Sequence, residues 1–161
     1  MNIWKVIRGL DFRKLSRLAG ISILNPLMVY PTVKATKRTV VICEGLYKKA
    51  HHGHGPENAF RHALWNVLIA KHTFTVTGSK EKSAEWAAKI TDVHEELSPN
   101  NALEKAMDLH NNEIGRQFFL NNAGLSEGEI VNSLISYTSN AVLILKEEEL
   151  AKYPNQLVCI E

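Results

Sequence analysis

Three short polar clusters interrupt otherwise apolar helical sequence between Glu57 and Arg116. They are residues 57–66 (ENAFRHALWN), 92–96 (DVHEE) and 107–116 (MDLHNNEIGR). Each cluster places His, Asn, Asp or Glu where an amphipathic helix would carry Leu or Ala, and burying such a group without a partner costs about 1–3 kcal/mol. We therefore expect the three clusters to meet in one buried polar site shared by three helices.

Acid–base catalysis is the first chemistry that these residues allow. A buried carboxyl group, Glu95 or Asp108, has its pKa raised by desolvation and can act as general acid or base, oriented by His62 and nearby Asn side chains. Hydrolysis of a glycosidic, ester or phosphodiester bond is compatible with this arrangement. A serine nucleophile is not indicated, because no GxSxG motif occurs and Ser83 and Ser98 lie in capping or surface contexts.

Divalent metal binding is the second chemistry, and a divalent metal is the one cofactor that the sequence suggests. The candidate ligands are His62, His94, Glu95, Asp108 and His110. Imidazole and carboxylate donors of this kind hold catalytic metals that keep one position open for water. The spacing identifies no particular metal, because there is no HExxH motif and the ligands come from three separated segments.

A structural role is the alternative to both chemistries. Asn, Asp, His and Arg side chains can close a satisfied hydrogen-bond network that fixes the register of helices and performs no reaction. For a single residue this is the commoner outcome. Five polar residues taken together favour a functional site: Asn58, His62, Glu95, Asp108 and Asn112. The two competing functions are therefore a hydrolase-like enzyme and a non-catalytic helical binding or structural module.

Apolar spacing predicts that the clusters lie on three helices, near 57–74, 80–96 and 99–121. A helix over 32–49, capped by Thr32, precedes them, and a last helix runs from a Ser126/Glu129 capping box to about Glu149. The fold class predicted is all-α, a single-domain bundle of five or six helices with an interhelical polar pocket. We expect one domain over 1–161, with a basic amphipathic helix at 1–20, a core bundle at 24–149 and a tail at 150–161.

Several helix-level details refine this expectation. Two prolines at 26 and 31 are expected to keep residues 21–31 out of a long helix. The helix over 32–49 is expected to turn Val33, Val40, Val41, Leu46 and Tyr47 inward. Ser98 is expected to cap the helix that Pro99 opens. A short extended piece is predicted at 157–160.

The position of each polar group on its helix predicts how the site is assembled. Asn58 and His62 continue into Asn66 at four-residue intervals, so all three lie on one face of their helix. His94 points about 100° away from Glu95, so only one of the two can face the site. A glycine inside the third helix, at 115, predicts that another helix or a ligand comes close there.

A histidine-rich loop at 51–56 (HHGHGP) precedes the first cluster. Histidine-rich tracts can bind metals. These histidines lie beside Gly and Pro, with no Cys or carboxylate at fixed spacing, so solvated loop histidines are the expected outcome.

Composition is that of one globular domain in a reducing compartment. The chain has 161 residues, is 45% hydrophobic and contains only Cys43 and Cys159, so neither a disulfide framework nor a Cys-based zinc site is indicated. No signal sequence is visible, and no run reaches the roughly 20 apolar residues of a membrane span. A cytoplasmic location is the expectation.

Charge is distributed unevenly along the chain. Residues 1–53 carry ten Lys and Arg against Asp11 and Glu44, a net +8, whereas residues 54–161 have a net charge of −6. The basic third can contact the acidic remainder of its own chain, an anionic membrane surface or nucleic acid. The contact within the chain is at least as well supported as contact with an external partner. The sequence does not identify a substrate for the polar site.

The motifs NAFRHALWN (58–66), Trp86-Ala87, His94-Glu95 and MDLHNNEIGR (107–116) resemble those of an uncharacterised bacterial all-helical family. Its members look like small stand-alone proteins or terminal modules of secreted and toxin-like proteins, and the resemblance covers roughly residues 24–120. The toxin-like association implies a hydrolase. The motif positions that the resemblance carries over are Asn58, Arg61, His62, Trp65, His94, Glu95, Asp108, His110, Asn111, Asn112, Gly115 and Arg116. We predict His62, Glu95 and Asp108 as the catalytic residues. The predicted binding residues are Asn58, Arg61, Trp65, Asn66, His94, His110, Asn111, Asn112 and Arg116.

Overall fold

Five α-helices form most of the part of the chain that the computed structural model describes, residues 20–21, 23–98 and 100–161. They are α1 (Pro26–Tyr47), α2 (Pro56–Thr77), α3 (Lys80–Leu97), α4 (Ala102–Asn122) and α5 (Glu127–Ser139). Single 3₁₀ turns occupy Lys48–His52 and Glu147–Lys152. The predicted all-α single-domain bundle is confirmed. The predicted helix over 1–20 lies, apart from Gly20, outside the described residues, and so does Pro99.

Helix α2 is the centre of the bundle and contacts each of the other four α-helices. Most of its apolar side chains are fully buried, among them Phe60, Leu64 and Leu68. A helix that is apolar around most of its circumference can only be stable inside a domain, which explains its central place. Pro56 occupies the first turn as predicted, and Gly78 ends the helix with φ +64°.

Helix α1 begins six residues earlier than the sequence predicts, at Pro26 instead of Thr32. Pro31 lies inside the helix, where it removes a single backbone donor. Its ring is buried and extends a stripe of buried residues at three- and four-residue spacing: Met28, Pro31, Ala35, Thr39 and Cys43. The predicted inward residues Val33, Val41 and Leu46 are exposed instead. The second half of this stripe consists of small side chains, Ala35, Thr39 and Cys43, and α1 packs against α2.

Side-chain caps define the starts of the three later helices. The Ser79 hydroxyl accepts from the Lys82 amide at the start of α3. A reciprocal Asn101/Glu104 capping box opens α4, so the predicted cap at Ser98 is wrong by one turn. The predicted Ser126/Glu129 capping box opens α5.

The C-terminal region differs most from the prediction. Helix α5 ends at Ser139, ten residues before the predicted end, and strand β1 (Val142–Leu143) pairs in parallel with β2 (Val158–Cys159). The segment 157–160, predicted to lie in a tail, is buried. Its extended conformation was predicted correctly. Val158 and Ile160 pack with Met107 of α4 in a second small core.

Polar contacts also join the basic N-terminal third to the rest of the chain. Arg38 of α1 donates from Nε and Nη2 to Glu127 Oε1 at 2.9 and 2.6 Å. This ion pair supports the intramolecular use of the basic charge. No helix within the described ranges is both long and apolar enough to cross a membrane.

Candidate active site

Helices α2, α3 and α4 bring His62, Glu95 and Asp108 together in the interior. His62 Nε2 lies 3.1 Å from Asp108 Oδ1, and His62 Nδ1 lies 3.5 Å from Glu95 Oε1. The three side chains are fully enclosed, because His62, Glu95 and Asp108 retain only 2%, 1% and 3% of their accessible surface. The expected convergence of the three polar clusters is therefore present in the fold.

Hydrogen bonds fix the protonation state of His62. Arg61 Nη2 donates to His62 Nε2 at 2.9 Å, since a guanidinium can only donate. The proton of the neutral ring then lies on Nδ1, which donates to Asn112 Oδ1 at 3.1 Å. Burial, reinforced by the positive charge of Arg61, lowers the pKa of His62 well below its usual value. His62 is therefore neutral, with a defined tautomer.

Asp108 is held on both of its carboxylate oxygens. Asn58 Nδ2 donates to Oδ1 at 3.4 Å, and Asn100 Nδ2 donates to Oδ2 at 2.9 Å. Burial raises the pKa of Asp108 to about 6, against the opposing effect of the nearby Arg61 charge. The 3.1 Å contact between Oδ1 and His62 Nε2 becomes a hydrogen bond only when a proton occupies it.

Glu95 has an incomplete set of partners. Its Oε1 accepts a long bond of 3.4 Å from Asn112 Nδ2, and its Oε2 has no hydrogen-bond partner. Burial, and then the negative charge of Asp108, raise the pKa of Glu95 to about 7. The carboxyl group also lies in the last turn of α3, where the helix dipole further disfavours its ionised form.

A second layer of polar side chains supports the cluster. Asn66 Nδ2 donates to Asn112 Oδ1 at 2.7 Å, and Asn66 Oδ1 accepts from Arg116 Nη1 at 3.0 Å and Thr91 Oγ1 at 3.2 Å. Arg116 is itself held by Glu113 Oε2 at 2.6 Å from Nη2. The structure therefore brings Asn66, Asn112 and Arg116 together beside the cluster, and their binding roles stay a prediction.

Two participants escape sequence analysis. Thr91 is fully buried one turn before Glu95, and Asn100 contacts Asp108 from the loop between α3 and α4. For Thr91, the available sequence signal was its i to i+4 spacing with Glu95, which places both on one face of the helix. Nothing in the sequence near Asn100 indicates that this loop folds over the cluster.

Four residues predicted for the site have other places. His94 is exposed and packs against the Trp65 ring with centroids 5.1 Å apart, while Trp65 Nε1 donates to Thr36 Oγ1. His110 contacts the Gln156 carbonyl at 2.9 Å. Asn111 donates to the Val158 carbonyl and accepts from the Val158 amide, at 2.9 and 3.0 Å.

Helix geometry is the reason for these differences, since successive residues point about 100° apart. Glu95 and Asp108 face the cluster, so His94, next to Glu95, and His110, two residues after Asp108, point in other directions. His94 and His110 therefore lie away from the cluster, where they cannot bind a metal ion together with His62. His110 and Asn111 anchor the C-terminal segment instead.

Three side chains can still offer donors to one metal ion. His62, Glu95 and Asp108 each provide one ligand atom, and these atoms lie within 4.8 Å of one another. The Arg61 guanidinium competes for the same place, because it already donates to the Nε2 lone pair of His62. A cation bound through Nε2 would have to displace it.

The fold and the cluster define the class of protein, an all-α domain with a buried His, Glu and Asp site between three helices. Within that class, the chain belongs to the family described as Domain of unknown function (DUF6973), whose model matches residues 19–142. No curated protein and no solved structure matches the chain. The expectation of an uncharacterised family is confirmed over a longer segment than 24–120. Bacterial origin and toxin-like modules stay predictions.

Proposed function

We propose that the protein is a hydrolase-like enzyme whose buried cluster performs acid–base catalysis through Glu95. The unpartnered Glu95 Oε2 is the observation that carries the proposal. Among the residues that the structure describes, it is the one buried side-chain oxygen without a hydrogen-bond partner. A network that served stability alone would be expected to satisfy every buried oxygen, because an orphaned one costs about 1–3 kcal/mol.

The electrostatics of the carboxyl pair support this role. With pKa values of about 7 for Glu95 and about 6 for Asp108, Glu95 is about half protonated at pH 7 and Asp108 is mostly ionised. Asp108 is the more acidic partner, because Arg61, Asn58 and Asn100 stabilise its anion. The proton therefore lies mainly on Glu95. Groups with pKa values near the working pH are the most effective general acids and bases.

The proposed reaction uses one water molecule. Ionised Glu95 takes a proton from water as the water oxygen attacks the scissile centre, and the protonated carboxyl returns that proton to the departing oxygen. His62 and Asp108 complete the catalytic group: neutral His62 donates from Nδ1 to Asn112, and the Asp108 carboxylate, whose pKa burial raises to about 6, can itself hold a proton. Arg61 supplies positive charge for an anion that develops beside them. Esters, glycosides and phosphodiesters are the substrate classes that this chemistry covers.

A divalent metal bound by His62, Glu95 and Asp108 is a metal-assisted version of the same proposal. It would activate the attacking water directly. The version without a resident metal is better supported, because the guanidinium of Arg61 already places a positive charge at His62 Nε2. The two versions differ in one observable, the effect of a chelator on turnover.

A structural role for the cluster is the second candidate. It is favoured by enclosure, since Asn58, His62 and Asp108 are each at most 3% exposed and lie in one continuous hydrogen-bonded network. Such a network fixes helix register without any reaction. It leaves the unpartnered Oε2 of Glu95 unexplained.

Glu95→Gln, compared with Asp92→Asn one turn earlier on α3, separates the two candidates. Suitable probes are 4-nitrophenyl butyrate, bis(4-nitrophenyl) phosphate and 4-nitrophenyl glycosides. If Glu95 is the acid–base group, its replacement lowers kcat at least about 100-fold on the probe that wild type hydrolyses, and Asp92→Asn stays within about twofold. Equal turnover by Glu95→Gln and wild type contradicts the proposal. If wild type turns over no probe and Glu95→Gln is strongly destabilised, the structural role is the better account.

A further inference from the structure

The histidine-rich loop contains a buried imidazole, contrary to the expectation of solvated histidines. His51 retains 1% of its accessible surface, although it lies in a single 3₁₀ turn between α1 and α2. Neither of its ring nitrogens has a hydrogen-bond partner. A neutral imidazole has one donor and one acceptor, so burying both without partners is costly. This cost calls for a ligand.

Two further donors converge on the same place. His51 Nε2 lies 3.5 Å from Glu44 Oε1, and His52 Nε2 lies 3.6 Å from the same oxygen. The two imidazole rings lie against each other with centroids 4.1 Å apart and planes tilted by 39°. One ligand atom from each of Glu44, His51 and His52 lies within 4.8 Å of the others. Glu44 comes from the last turn of α1, so the helix end and the 3₁₀ turn together set this geometry.

The spacing of the three donors suits a metal ion better than hydrogen bonds. Hydrogen bonds between nitrogen and oxygen have lengths of about 2.7–3.2 Å, which both contacts exceed. Metal bonds of about 2.0–2.1 Å at tetrahedral angles place donor atoms about 3.3 Å apart, close to the distances between Glu44 Oε1 and the two Nε2 atoms. Two imidazoles and a carboxylate are ligands for zinc and similar first-row metals.

We propose that Glu44, His51 and His52 bind one divalent transition-metal ion of the zinc type. His51 supplies the buried ligand, and the half-exposed Glu44 and His52 complete the site from the solvent side. Water fills the remaining position. The ion gives one of the two unpartnered His51 nitrogens its partner and ties the end of α1 to the turn that leads into α2. This site is separate from the acid–base cluster and does not depend on it.

Zinc titration of the full chain, followed by competition with a chromophoric chelator, tests the proposal. His52→Ala and Glu44→Gln are suitable variants because both side chains are about half exposed, so folding is preserved and is verified by an unchanged Tm without metal. We expect each substitution to weaken zinc binding at least about tenfold. His54→Ala is the matched control, since His54 belongs to the same loop but, with its Nε2 3.7 Å from Glu104 Oε1, is not one of the three converging donors. Its zinc affinity is expected to equal that of wild type.

Glu95→Gln removes one candidate metal ligand from the acid–base cluster, so zinc binding that is lost in His52→Ala and Glu44→Gln but kept in Glu95→Gln belongs to the Glu44 site, which is thereby tested independently of the cluster. The metal proposal is overturned if wild type binds no zinc or if His52→Ala and Glu44→Gln bind it as wild type does. An equal loss in His54→Ala also overturns it, because that result indicates unspecific binding by loop imidazoles. Cobalt substitution provides a second readout, since the visible absorption of a tetrahedral site should disappear in His52→Ala.

Discussion

Gly115 of α4 lies against the backbone of Ala63 on α2, where a Cβ at position 115 would overlap the Ala63 carbonyl oxygen and lie 2.8 Å from its Cα. No side chain fits between the helices at this point. His62 is adjacent to Ala63 in sequence, and Asn112 lies one turn before Gly115. The close approach of α2 and α4 therefore sets the distance between His62 on α2 and Asn112 on α4. The glycine at position 115 predicted such a close approach.

Gly115→Ala is expected to destabilise the protein, although alanine ordinarily favours a helix. The added methyl group must push backbone apart, which costs about 2 kcal/mol or more. Chemical denaturation measures the change in the free energy of unfolding. Gly128→Ala on α5 is the control, because its Cβ would meet no atom within 4 Å, and it should be neutral or slightly stabilising. Equal stability of wild type and Gly115→Ala would refute the close contact.

Asn111→Ala is expected to loosen the C-terminal segment without changing the chemistry of the cluster. Asn111 is the buried side chain that pairs with both backbone groups of Val158, so its truncation leaves two buried polar groups unpaired. The cost is about 1–3 kcal/mol. Hydrogen exchange of the Val158 amide should accelerate, whereas amides in the middle of α2 should change less. An unaltered Val158 exchange rate would show that Asn111 does not anchor this strand.

The raised carboxyl pKa values predict how stability depends on pH. Glu95 has its pKa raised from 4.5 to about 7 and Asp108 from 3.8 to about 6, so the folded protein binds these protons more tightly than the unfolded chain does. Their contribution is fully present below pH 4 and is lost as pH rises through about 7. Glu95→Gln cannot ionise and should exceed wild type in stability at pH 8, by on the order of 2 kcal/mol.

The comparison must be a difference between the two proteins at each pH, because the lowered pKa of His62 makes an opposite contribution below about pH 6.5. The contribution of His62 is present in both wild type and Glu95→Gln, so it largely cancels in the difference between them. Asp92→Asn serves as the control on the same helix. A stability difference between Glu95→Gln and wild type that stays constant from pH 4 to 8 would be incompatible with a raised pKa at Glu95.

Local sequence signals were sufficient for most of the site. The four-residue spacing of Asn58, His62 and Asn66 correctly placed one polar face of α2 in the interior. Spacing alone could not decide whether His94 or Glu95 faces the site, because either side chain could point toward the core of the bundle. Burial of Val93 and Glu95 resolves it in the fold.

Long-range contacts explain what local signals missed. Pro31 has the sequence signature of a helix breaker, but burial of its ring in the same stripe as Met28 outweighs one missing backbone bond. Residues 141–145 continue a helical apolar pattern, yet Val142 pairs with Val158 across the chain. Asn111 supplies the bond that holds this pairing in place. Tertiary context decides such segments, because neither helix nor strand propensity is strong enough alone.

The titration of the Glu95 carboxyl carbon by ¹³C NMR, assigned by comparison with Glu95→Gln, tests the central claim most directly. We predict a midpoint near pH 7 in wild type and a lower midpoint in Asp108→Asn, because the negative charge of Asp108 helps to keep the proton on Glu95. A midpoint near the ordinary value of 4.5 in both proteins would contradict the claim that this cluster holds an exchangeable proton at neutral pH.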